Sequence, residues 1–274
     1  MDEPRHHHRA NASGLARLAD LGGRTAVVTG GAGPLGSVLS AALADAGAHV
    51  VVVDLDEASC SATVDSLHGG GHVALAANLL EPQGISRVVA TIHEIGSCDV
   101  LVNNAAFTGT SGVPGYAVPF DEQTDEAFAM ALALNLTAPF SLTRQLAPLL
   151  RSDGHGSVIN VSSIYGLVGP NVALYEGTRM GNPAAYAASK GGLAQLTRYL
   201  ATVLAPEIRV NAIAPGGIAR GQDEAFVSRY ERLTPLGRMA TEDDFRGVVT
   251  WLASDASAYV TGQVIAVDGG WTAW

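Results

Sequence analysis

The chain has 274 residues, of which 47% are hydrophobic and 15% are charged, and this suits one α/β domain with a large apolar core. Its net charge of −10 argues against a nucleic-acid surface, because such a surface needs a basic patch. No apolar run approaches the ~20 residues of a membrane helix and no signal-peptide core is evident, so we expect a cytoplasmic protein without a membrane partner.

The first 22 residues differ from the rest of the chain. They include three consecutive histidines, His6 to His8, which we interpret as part of a flexible polar extension rather than as a metal site. The two cysteines, Cys60 and Cys98, lack the spacing of metal ligands and are typical of buried thiols in a reducing compartment. We therefore expect no metal, and we expect residues 23–274 to form a single domain.

A β-branched run and a glycine-rich turn open this domain. Residues 24–29 predict a buried strand, residues 30–36 predict a turn that leads into a helix, and residues 50–54 predict a second buried strand that ends in Asp54. Such a unit is typical of dinucleotide binding, because glycines let the backbone approach a pyrophosphate and the helix offers its N-terminal amides. A carboxylate at Asp54 suits the adenosine ribose hydroxyls and would repel a 2′-phosphate, so NAD is favoured over NADP.

The rest of the chain alternates strand and helix patterns. We predict further strands at residues 72–76, 99–103, 157–161, 208–212 and 264–267, and helices at residues 85–95, 128–150 and 184–204. This alternation predicts an α/β fold, a Rossmann-type doubly wound parallel sheet of about seven strands with helices on both faces. Ligands bind beyond the carboxyl ends of such strands, where Gly30, Asp54, Asn103, Ser163 and Pro215 fall.

Tyr186 and Lys190 lie four residues apart in the predicted helix 184–204, and therefore on one face of it. An ammonium so close should favour the phenolate and lower the pKa of the tyrosine below its usual value of about 10. A tyrosine tuned in this way can exchange a hydroxyl proton near neutral pH. Taken alone, the pair would also fit a solvated helix surface, so the interpretation depends on the surrounding motifs.

Six motifs in order along the chain together resemble those of the short-chain dehydrogenase/reductase family, over residues 21–274. They are residues 29–36, residues 103–106, Asn135, the pair Ser162 and Ser163, residues 215–218 and residues 259–270. The resemblance implies catalytic roles for Asn135, Ser163, Tyr186 and Lys190. It implies cofactor contacts by Gly30, Gly33, Pro34, Leu35, Gly36, Asp54, Leu55, Asn78, Leu79, Asn104, Ala105, Ala106, Tyr186, Lys190, Pro215, Gly216 and Ile218. It also implies a homotetramer or, failing that, a homodimer.

The chain departs from the family pattern at several positions. Pro34 replaces the middle glycine of the turn and removes an amide donor at a helix start. Asn78 stands where a carboxylate is common, although it can still hydrogen-bond the adenine. Ala106 replaces a glycine, and Arg220 replaces a threonine that contacts the nicotinamide. The segment between the catalytic serine and tyrosine is about ten residues longer than usual, and the extra stretch is residues 171–183.

This insertion and the ending, residues 268–274, suggest a narrower resemblance to oxidoreductases of flagellin-modification and nonulosonic-acid pathways, which implies a sugar-like substrate. An insertion at this place must loop outward at the mouth of the crevice, so we predict that it walls the substrate pocket. The candidate substrate contacts are Tyr165, Tyr175, Glu176, Arg179 and Asn182. Each of them singly would equally suit a solvated loop.

We therefore expect an NAD-dependent oxidoreductase that interconverts a secondary alcohol and a ketone. In the oxidative direction the Tyr186 phenolate takes the hydroxyl proton, Ser163 holds the oxygen, and Lys190 tunes the tyrosine and binds the nicotinamide ribose. By resemblance, Asn135 positions a water between Lys190 and solvent.

Three alternatives remain for the function. An acyl-carrier-protein ketoreductase would use NADP and would need a basic docking patch. Asp54 argues against the first, and the acidic net charge argues against the second. A non-catalytic dinucleotide-binding regulator is disfavoured by the intact set of four catalytic residues. A sugar-nucleotide epimerase or dehydratase usually needs a larger C-terminal substrate domain.

Overall fold

The structure is a computed structural model that describes residues 14–109, 111–178 and 180–274. Its strands are β1 (Thr25–Thr29), β2 (His49–Asp54), β3 (Val73–Ala76), β4 (Val100–Asn103), β5 (Gly156–Val161), β6 (Ile208–Pro215) and β7 (Val264–Val267). They form one parallel sheet in the order β3-β2-β1-β4-β5-β6-β7. The order reverses between β1 and β4, which is where a doubly wound sheet opens a crevice for ligands.

Helices cover both faces of this sheet. They are α1 (Leu15–Leu18), α2 (Pro34–Asp45), α3 (Glu57–Ser66), α4 (Pro82–Ile95), α5 (Asp125–Leu132), α6 (Ala138–Leu150), α7 (Ala184–Leu204), α8 (Glu224–Arg232) and α9 (Arg246–Ala253). Adjacent residues of β1 point to opposite faces, so Val28 packs in one apolar cluster with α2 and α9, and Val27 packs in another with α4 and α6. Burial on both sides explains why the strands are continuous apolar runs rather than alternating ones. The predicted α/β fold is confirmed.

The strand register brings the carboxyl ends of the central strands to one edge. Thr29 at the end of β1 pairs with Asn103 at the end of β4, and Val161 at the end of β5 pairs with Ile213 in β6. The turns that follow β1, β2, β4, β5 and β6 therefore open onto a common crevice. All five of these turns carry residues that the sequence singled out.

One segment differs from the sequence prediction in a way that bears on the site. The single helix predicted over residues 128–150 is interrupted by a π-helical turn, Ala133–Thr137, which joins α5 to α6 and contains the buried Asn135. The described part of the predicted N-terminal extension forms α1 and buries Leu21 in the core, whereas His6 to His8 lie outside the described residues. Within the described ranges, no helix combines the length and apolar character that a membrane crossing requires.

Candidate active site

The glycine turn after β1 is packed too closely for side chains. Gly30 has a φ of 61°, and a Cβ on it would lie 2.9 Å from Cα of Ala105. A Cβ on Gly36 would lie 1.9 Å from the carbonyl oxygen of Gly30. Helix α2 begins directly after the turn, with Gly33 as a cap that offers no side chain and Pro34 in the first helical position. Bare backbone at a helix N-terminus suits a phosphate group, and this turn therefore fits the pyrophosphate of a dinucleotide.

Asp54 fastens the end of β2 to this turn. One carboxylate oxygen accepts a hydrogen bond from the amide of Ala32 at 3.0 Å, and the other accepts one from the amide of Leu55 at 2.8 Å. A carboxylate oxygen can accept more than one hydrogen bond, so both retain capacity for ribose hydroxyls. The Leu55 side chain is exposed beside it.

The remaining residues expected at the adenine are engaged in local structure. The Asn78 side chain accepts from the amide of Leu80 at 3.1 Å and donates to the Glu81 carboxylate at 2.8 Å, which leaves one amide hydrogen for a ligand. Leu79 is buried in the core, so any contact it makes with a cofactor must come from its backbone.

Asn104 ties the end of β4 to the glycine turn. Its side-chain nitrogen donates to the carbonyl oxygens of Thr29 at 3.0 Å and Gly30 at 2.9 Å. The Thr29 hydroxyl accepts from the amides of Asn104 and Ala105 in return. These hydrogen bonds hold the chain after β4 against the glycine turn, and Ala106 lies in this stretch, two residues beyond Asn104.

The loop after β6 is equally tight. Pro215 ends the strand, and a Cβ on Gly216 would lie 2.9 Å from Cα of Asp268. Gly216 donates from its amide to the carbonyl oxygen of Val267 in the last strand, and Ile218 forms an isolated bridge with Ala240, which ties the loop to the segment before α9. The loop therefore holds its shape at the edge of the crevice.

Ser163, Tyr186 and Lys190 meet at the end of β5. Ser163 is buried directly after this strand and caps the short 3-10 turn Ile164–Gly166, with its hydroxyl accepting from the amide of Tyr165 at 3.2 Å. Lys190 is buried on α7, donates from Nζ to the carbonyl oxygen of Val161 at 2.7 Å, and lies 5.7 Å from the centre of the Tyr186 ring. The structure thus brings the predicted serine, tyrosine and lysine together.

Asn135 joins this group from the π-helical turn. Its side-chain oxygen accepts from the amide of Phe107 at 2.8 Å, and its side-chain nitrogen donates to the hydroxyl of Ser189 at 3.0 Å. Ser189 directly precedes Lys190, so Asn135 connects the loop after β4 to the helix that carries the tyrosine and the lysine. A π turn shifts the hydrogen-bond pattern of a helix and often marks a functional position.

The electrostatics of the pair differ from the expectation. Burial raises the pKa of Tyr186 above its ordinary value, while a hydrogen bond with Ser163 and the charge of Arg220 act to lower it. Burial also lowers the pKa of Lys190 to about 7. The prediction that Lys190 lowers the pKa of Tyr186 is therefore wrong for this structure. The ammonium donates to a strand carbonyl and lies over the tyrosine ring, and desolvation opposes charge on both groups.

Aromatic residues pack beside the turn that Ser163 caps. Tyr165 and Tyr175 contact each other through their hydroxyl oxygens at 2.7 Å, which places the insertion beside the turn that Ser163 caps. The insertion is also fixed to α8, because Nη1 of Arg229 donates to the carbonyl oxygens of Leu174 at 3.3 Å and Glu176 at 2.5 Å. The apolar cluster at this end contains Ile164, Leu174, Phe226, Tyr230, Met239 and Trp271.

The five predicted substrate contacts have different places in the structure. Tyr165 and Tyr175 are half-buried and paired, and Asn182 is half-buried with a buried side-chain nitrogen that has no partner among the described residues. Glu176 is exposed, and its described hydrogen bond uses its backbone carbonyl rather than its carboxylate. Arg179 lies outside the described residues.

Three aromatic residues of this cluster, Phe226, Tyr230 and Trp271, lie outside the candidate site residues predicted from the sequence. Phe226 and Tyr230 lie four residues apart on the buried face of α8, and the Tyr230 hydroxyl accepts from the amide of Gly217 at 2.6 Å. Trp271 stacks on Tyr230 with ring centres 6.0 Å apart. The helical spacing of the first two was a signal that could have been found. No pattern in the sequence indicates that Trp271 packs against these two residues.

The known proteins similar to this chain are oxidoreductases of the same fold. A family model described as enoyl-(acyl carrier protein) reductase matches residues 31–272. A tropinone reductase homolog from Arabidopsis thaliana is 34% identical over 261 residues, which are 92% of this chain and 91% of that protein. More than a thousand solved chains share the fold.

Several of these solved structures contain a dinucleotide, and two of them show that either cofactor occurs. A putative NAD(P)-dependent gluconate 5-dehydrogenase from Beutenbergia cavernae, with bound NADP, is 33% identical, has a TM-score of 0.81, and the match covers 94% of this chain and 100% of that one. A short chain dehydrogenase from Leptospira borgpetersenii, with bound NAD+, is 30% identical, has a TM-score of 0.81, and the match covers 98% of this chain and 100% of that one. The similarity thus extends over nearly the whole described chain.

Proposed function

This chain belongs to the short-chain dehydrogenase/reductase family, and on that premise we propose that it is an NAD-preferring enzyme that interconverts a secondary alcohol and a ketone on a small, polar, sugar-like substrate. Membership makes it an oxidoreductase with a dinucleotide-binding fold that acts on small molecules. The observation that supports the alcohol–ketone reaction is the meeting of Ser163, Tyr186 and Lys190 at the carboxyl edge of the sheet, beside the glycine turn.

The residues present fit a nicotinamide dinucleotide. The glycine turn and the start of α2 would hold the pyrophosphate, and Asp54 would hold the adenosine ribose. Lys190 and the loop from Pro215 to Ile218 would hold the nicotinamide half. When bound, the nicotinamide supplies the hydride-transfer chemistry.

The chain's own residues supply the proton. The Tyr186 hydroxyl exchanges a proton with the carbinol oxygen, and Ser163 orients that oxygen by a hydrogen bond. The hydrogen bond from Ser163 and the charge of Arg220 favour the phenolate and so oppose the effect of burial. Asn135, held by Phe107 and Ser189, would position a water that links Lys190 to solvent.

The preference for NAD rests on Asp54. Its carboxylate stands at the end of β2, where a 2′-phosphate of NADP would have to lie. The related solved structures contain either cofactor, so relatives alone do not decide the choice. Like charges at short range disfavour binding, so we assign the preference for NAD over NADP to the Asp54 carboxylate.

The description of the matching family model favours a second candidate, a reductase that acts on acyl-carrier-protein substrates. Asp54 and the net charge of −10 argue against it, because an acidic carrier protein docks on basic surfaces. A non-catalytic dinucleotide-binding regulator would not need Ser163, Tyr186 and Lys190 to be assembled.

The test is turnover with and without the Tyr186 hydroxyl. We would screen sugars, sugar acids, amino sugars and sugar phosphates with NAD and follow absorbance of the reduced cofactor. Tyr186→Phe should lower kcat by about 100-fold or more, because general acid–base catalysis is worth that much. The Kd for NAD, measured by calorimetry, should stay within a few-fold of wild type.

Tyr199→Phe is the matched control, because Tyr199 lies on the same helix and is exposed. It should keep full turnover. Near wild-type turnover in Tyr186→Phe would show that Tyr186 is not the acid or base and that the mechanism is wrong.

A further inference from the structure

A pair of tyrosine hydroxyls joins the insertion to the catalytic serine. Tyr165 lies in the turn Ile164–Gly166, and its amide donates to the Ser163 hydroxyl at 3.2 Å. Tyr175 ends the 3-10 turn Val172–Tyr175 of the insertion. Their oxygens lie 2.7 Å apart, so the insertion is hydrogen-bonded to a residue only two positions from Ser163.

This pair lies close to the helix that carries Tyr186. A Cβ on Gly166, the neighbour of Tyr165, would lie 2.6 Å from the carbonyl oxygen of Lys190, so the turn packs directly on α7. Burial is the main cause that raises the pKa of both Tyr165 and Tyr175, and the charge of Tyr186 raises both further. The pair thus lies close to the helix that carries Tyr186, and its two hydroxyls stay neutral at physiological pH.

The hydroxyls of Tyr165 and Tyr175 can form hydrogen bonds beyond the one that joins them. One hydroxyl donates to the other, and neither oxygen has a further partner among the described residues. One O–H donor and several lone pairs thus remain. Leaving a buried donor unpaired costs about 1–3 kcal/mol, so a ligand that offers an acceptor here gains affinity.

The surroundings suit a ligand with apolar faces and polar edges. The Tyr165 ring meets Trp271 edge to face at 6.3 Å, and Tyr175 packs on Phe226 at 5.4 Å. Nε1 of Trp271 and Nδ2 of Asn182 are both buried and have no partner within the described part of the chain. Aromatic faces together with a few polar donors fit the CH faces and hydroxyls of a polyhydroxylated molecule better than they fit an acyl chain.

The position of Tyr175 is fixed by α8 rather than by the insertion alone. Arg229 donates to the carbonyl oxygens on either side of Tyr175, those of Leu174 and Glu176. The Leu174 side chain is buried in the apolar cluster. A hydroxyl held in this way discriminates between ligands because its geometry cannot adapt at low cost.

We propose that Tyr175 is a specificity-determining residue: together with Tyr165, its hydroxyl binds a second hydroxyl of the substrate while the reacting carbinol lies at Tyr186. The enzyme therefore selects polyhydroxylated substrates over simple secondary alcohols. This inference rests on the proposed function, because only an alcohol–ketone reaction places a carbinol at Tyr186.

The test compares two probes that differ by one hydroxyl, 1,2-cyclohexanediol and cyclohexanol. With NAD, wild type should show a higher kcat/KM for the diol. Tyr175→Phe keeps the ring that packs on Phe226 and removes only the hydroxyl. The ratio of kcat/KM for diol over cyclohexanol should fall about tenfold in this variant, as expected for one lost hydrogen bond.

Two further variants sharpen the result. Tyr165→Phe should lower the same ratio, and the double variant should lose little more than either single one, because the two hydroxyls act as a unit. Tyr259→Phe, at a fully exposed tyrosine, should leave the ratio unchanged. Melting temperatures of all variants check that the fold is retained.

The outcomes separate this inference from the function on which it rests. An unchanged ratio in Tyr175→Phe, or a wild type that does not prefer the diol, overturns the inference and leaves the proposed function standing. A wild type that oxidises neither these probes nor any compound of the sugar screen with NAD or NADP overturns the proposed function, and the inference falls with it.

Discussion

Burial of ionisable groups is the dominant effect at the scale of single residues. Lys190 is almost completely buried, and its Nζ is hydrogen-bonded to one described atom, the carbonyl oxygen of Val161. Its pKa of about 7 means that the folded protein releases a proton that the unfolded chain would keep. Lys190 therefore destabilises the folded state at pH values at which the lysine is charged in the unfolded chain. The free energy of unfolding should accordingly depend on pH.

The sign follows from proton linkage. Between pH 7 and the ordinary lysine pKa of 10.5 the unfolded chain binds more protons than the folded one, so the free energy of unfolding rises with pH in this window. Lys190→Met removes this dependence. The melting temperature of the variant minus that of wild type should therefore be larger at pH 6.5 than at pH 9.5. Tyr186, whose pKa is raised above 10, acts in the opposite direction only at higher pH.

Calorimetry of the cofactor-free protein at the two pH values measures this difference. Arg198→Met is the control, because Arg198 is an exposed cation on the same helix. A difference for Lys190→Met that is the same at both pH values would show that the lysine titrates normally in the folded state.

Asp54 carries the prediction on cofactor choice. Wild type should show a higher kcat/KM with NAD than with NADP, because the carboxylate repels a 2′-phosphate. In Asp54→Ala, the ratio of kcat/KM with NAD to kcat/KM with NADP should fall by about tenfold or more. Asp54→Asn is the matched variant: it keeps an acceptor for the amide of Ala32 and loses only the charge, so it should narrow the gap as well. Higher efficiency of the wild type with NADP would contradict the assignment.

Elements with sharp boundary signals could be predicted from the sequence. Helix α7 has the predicted limits, because Pro183 precedes its first turn and Pro206 follows its end. Strand β6 runs three residues beyond its predicted end at Ala212, because Pro215 pairs with Val267 of β7. Such pairing is a contact between distant segments, and a local pattern contains no information about it.

Two features of the site lay beyond the sequence for the same reason. The π-helical turn around Asn135 preserves the apolar pattern on either side, so residues 128–150 still predict one continuous helix. The rise in the pKa of Tyr186 depends on how completely neighbouring elements cover its ring, whereas the sequence shows only the spacing to Lys190. Motifs thus predicted which side chains gather at the strand ends, but not how each one is solvated.

The insertion shows where sequence spacing and tertiary packing differ. Its length indicates a wall at the crevice, and the candidate substrate contacts in it include both the aromatic Tyr175 and the charged Glu176. In the structure Glu176 is exposed, while Tyr175 is half-buried against Tyr165 because Leu174 and Arg229 fix the segment to α8. Which face of a short irregular segment is buried depends on its docking partner, and α8 was not among the predicted elements.

At the scale of the whole molecule, several large apolar side chains of a single chain are exposed on three helices and at the last residue. On helices α5 to α7, large apolar groups are exposed at Phe128, Met130, Phe140, Tyr199 and Val203. At the C-terminus Trp271 packs inside its own chain, whereas Trp274 is 78% exposed with its indole N–H donating to the carbonyl oxygen of Leu233. Exposed apolar groups of this size mark interaction surfaces, and copies of the same chain are the simplest partners.

We therefore predict a homotetramer or, failing that, a homodimer, built from the long helices and the C-terminal strand with its tail. Light scattering at micromolar concentration should give a mass of two or four chains. Phe140→Glu on α6 and Trp274→Ala at the tail should each shift the mass downward, because the first buries a charge and the second removes apolar contact. Leu15→Glu, at an exposed position on α1, which is not one of the helices of the proposed interface, should leave the mass unchanged. A wild-type mass of one chain would show that the tail serves only its own domain and that these helix faces remain in water.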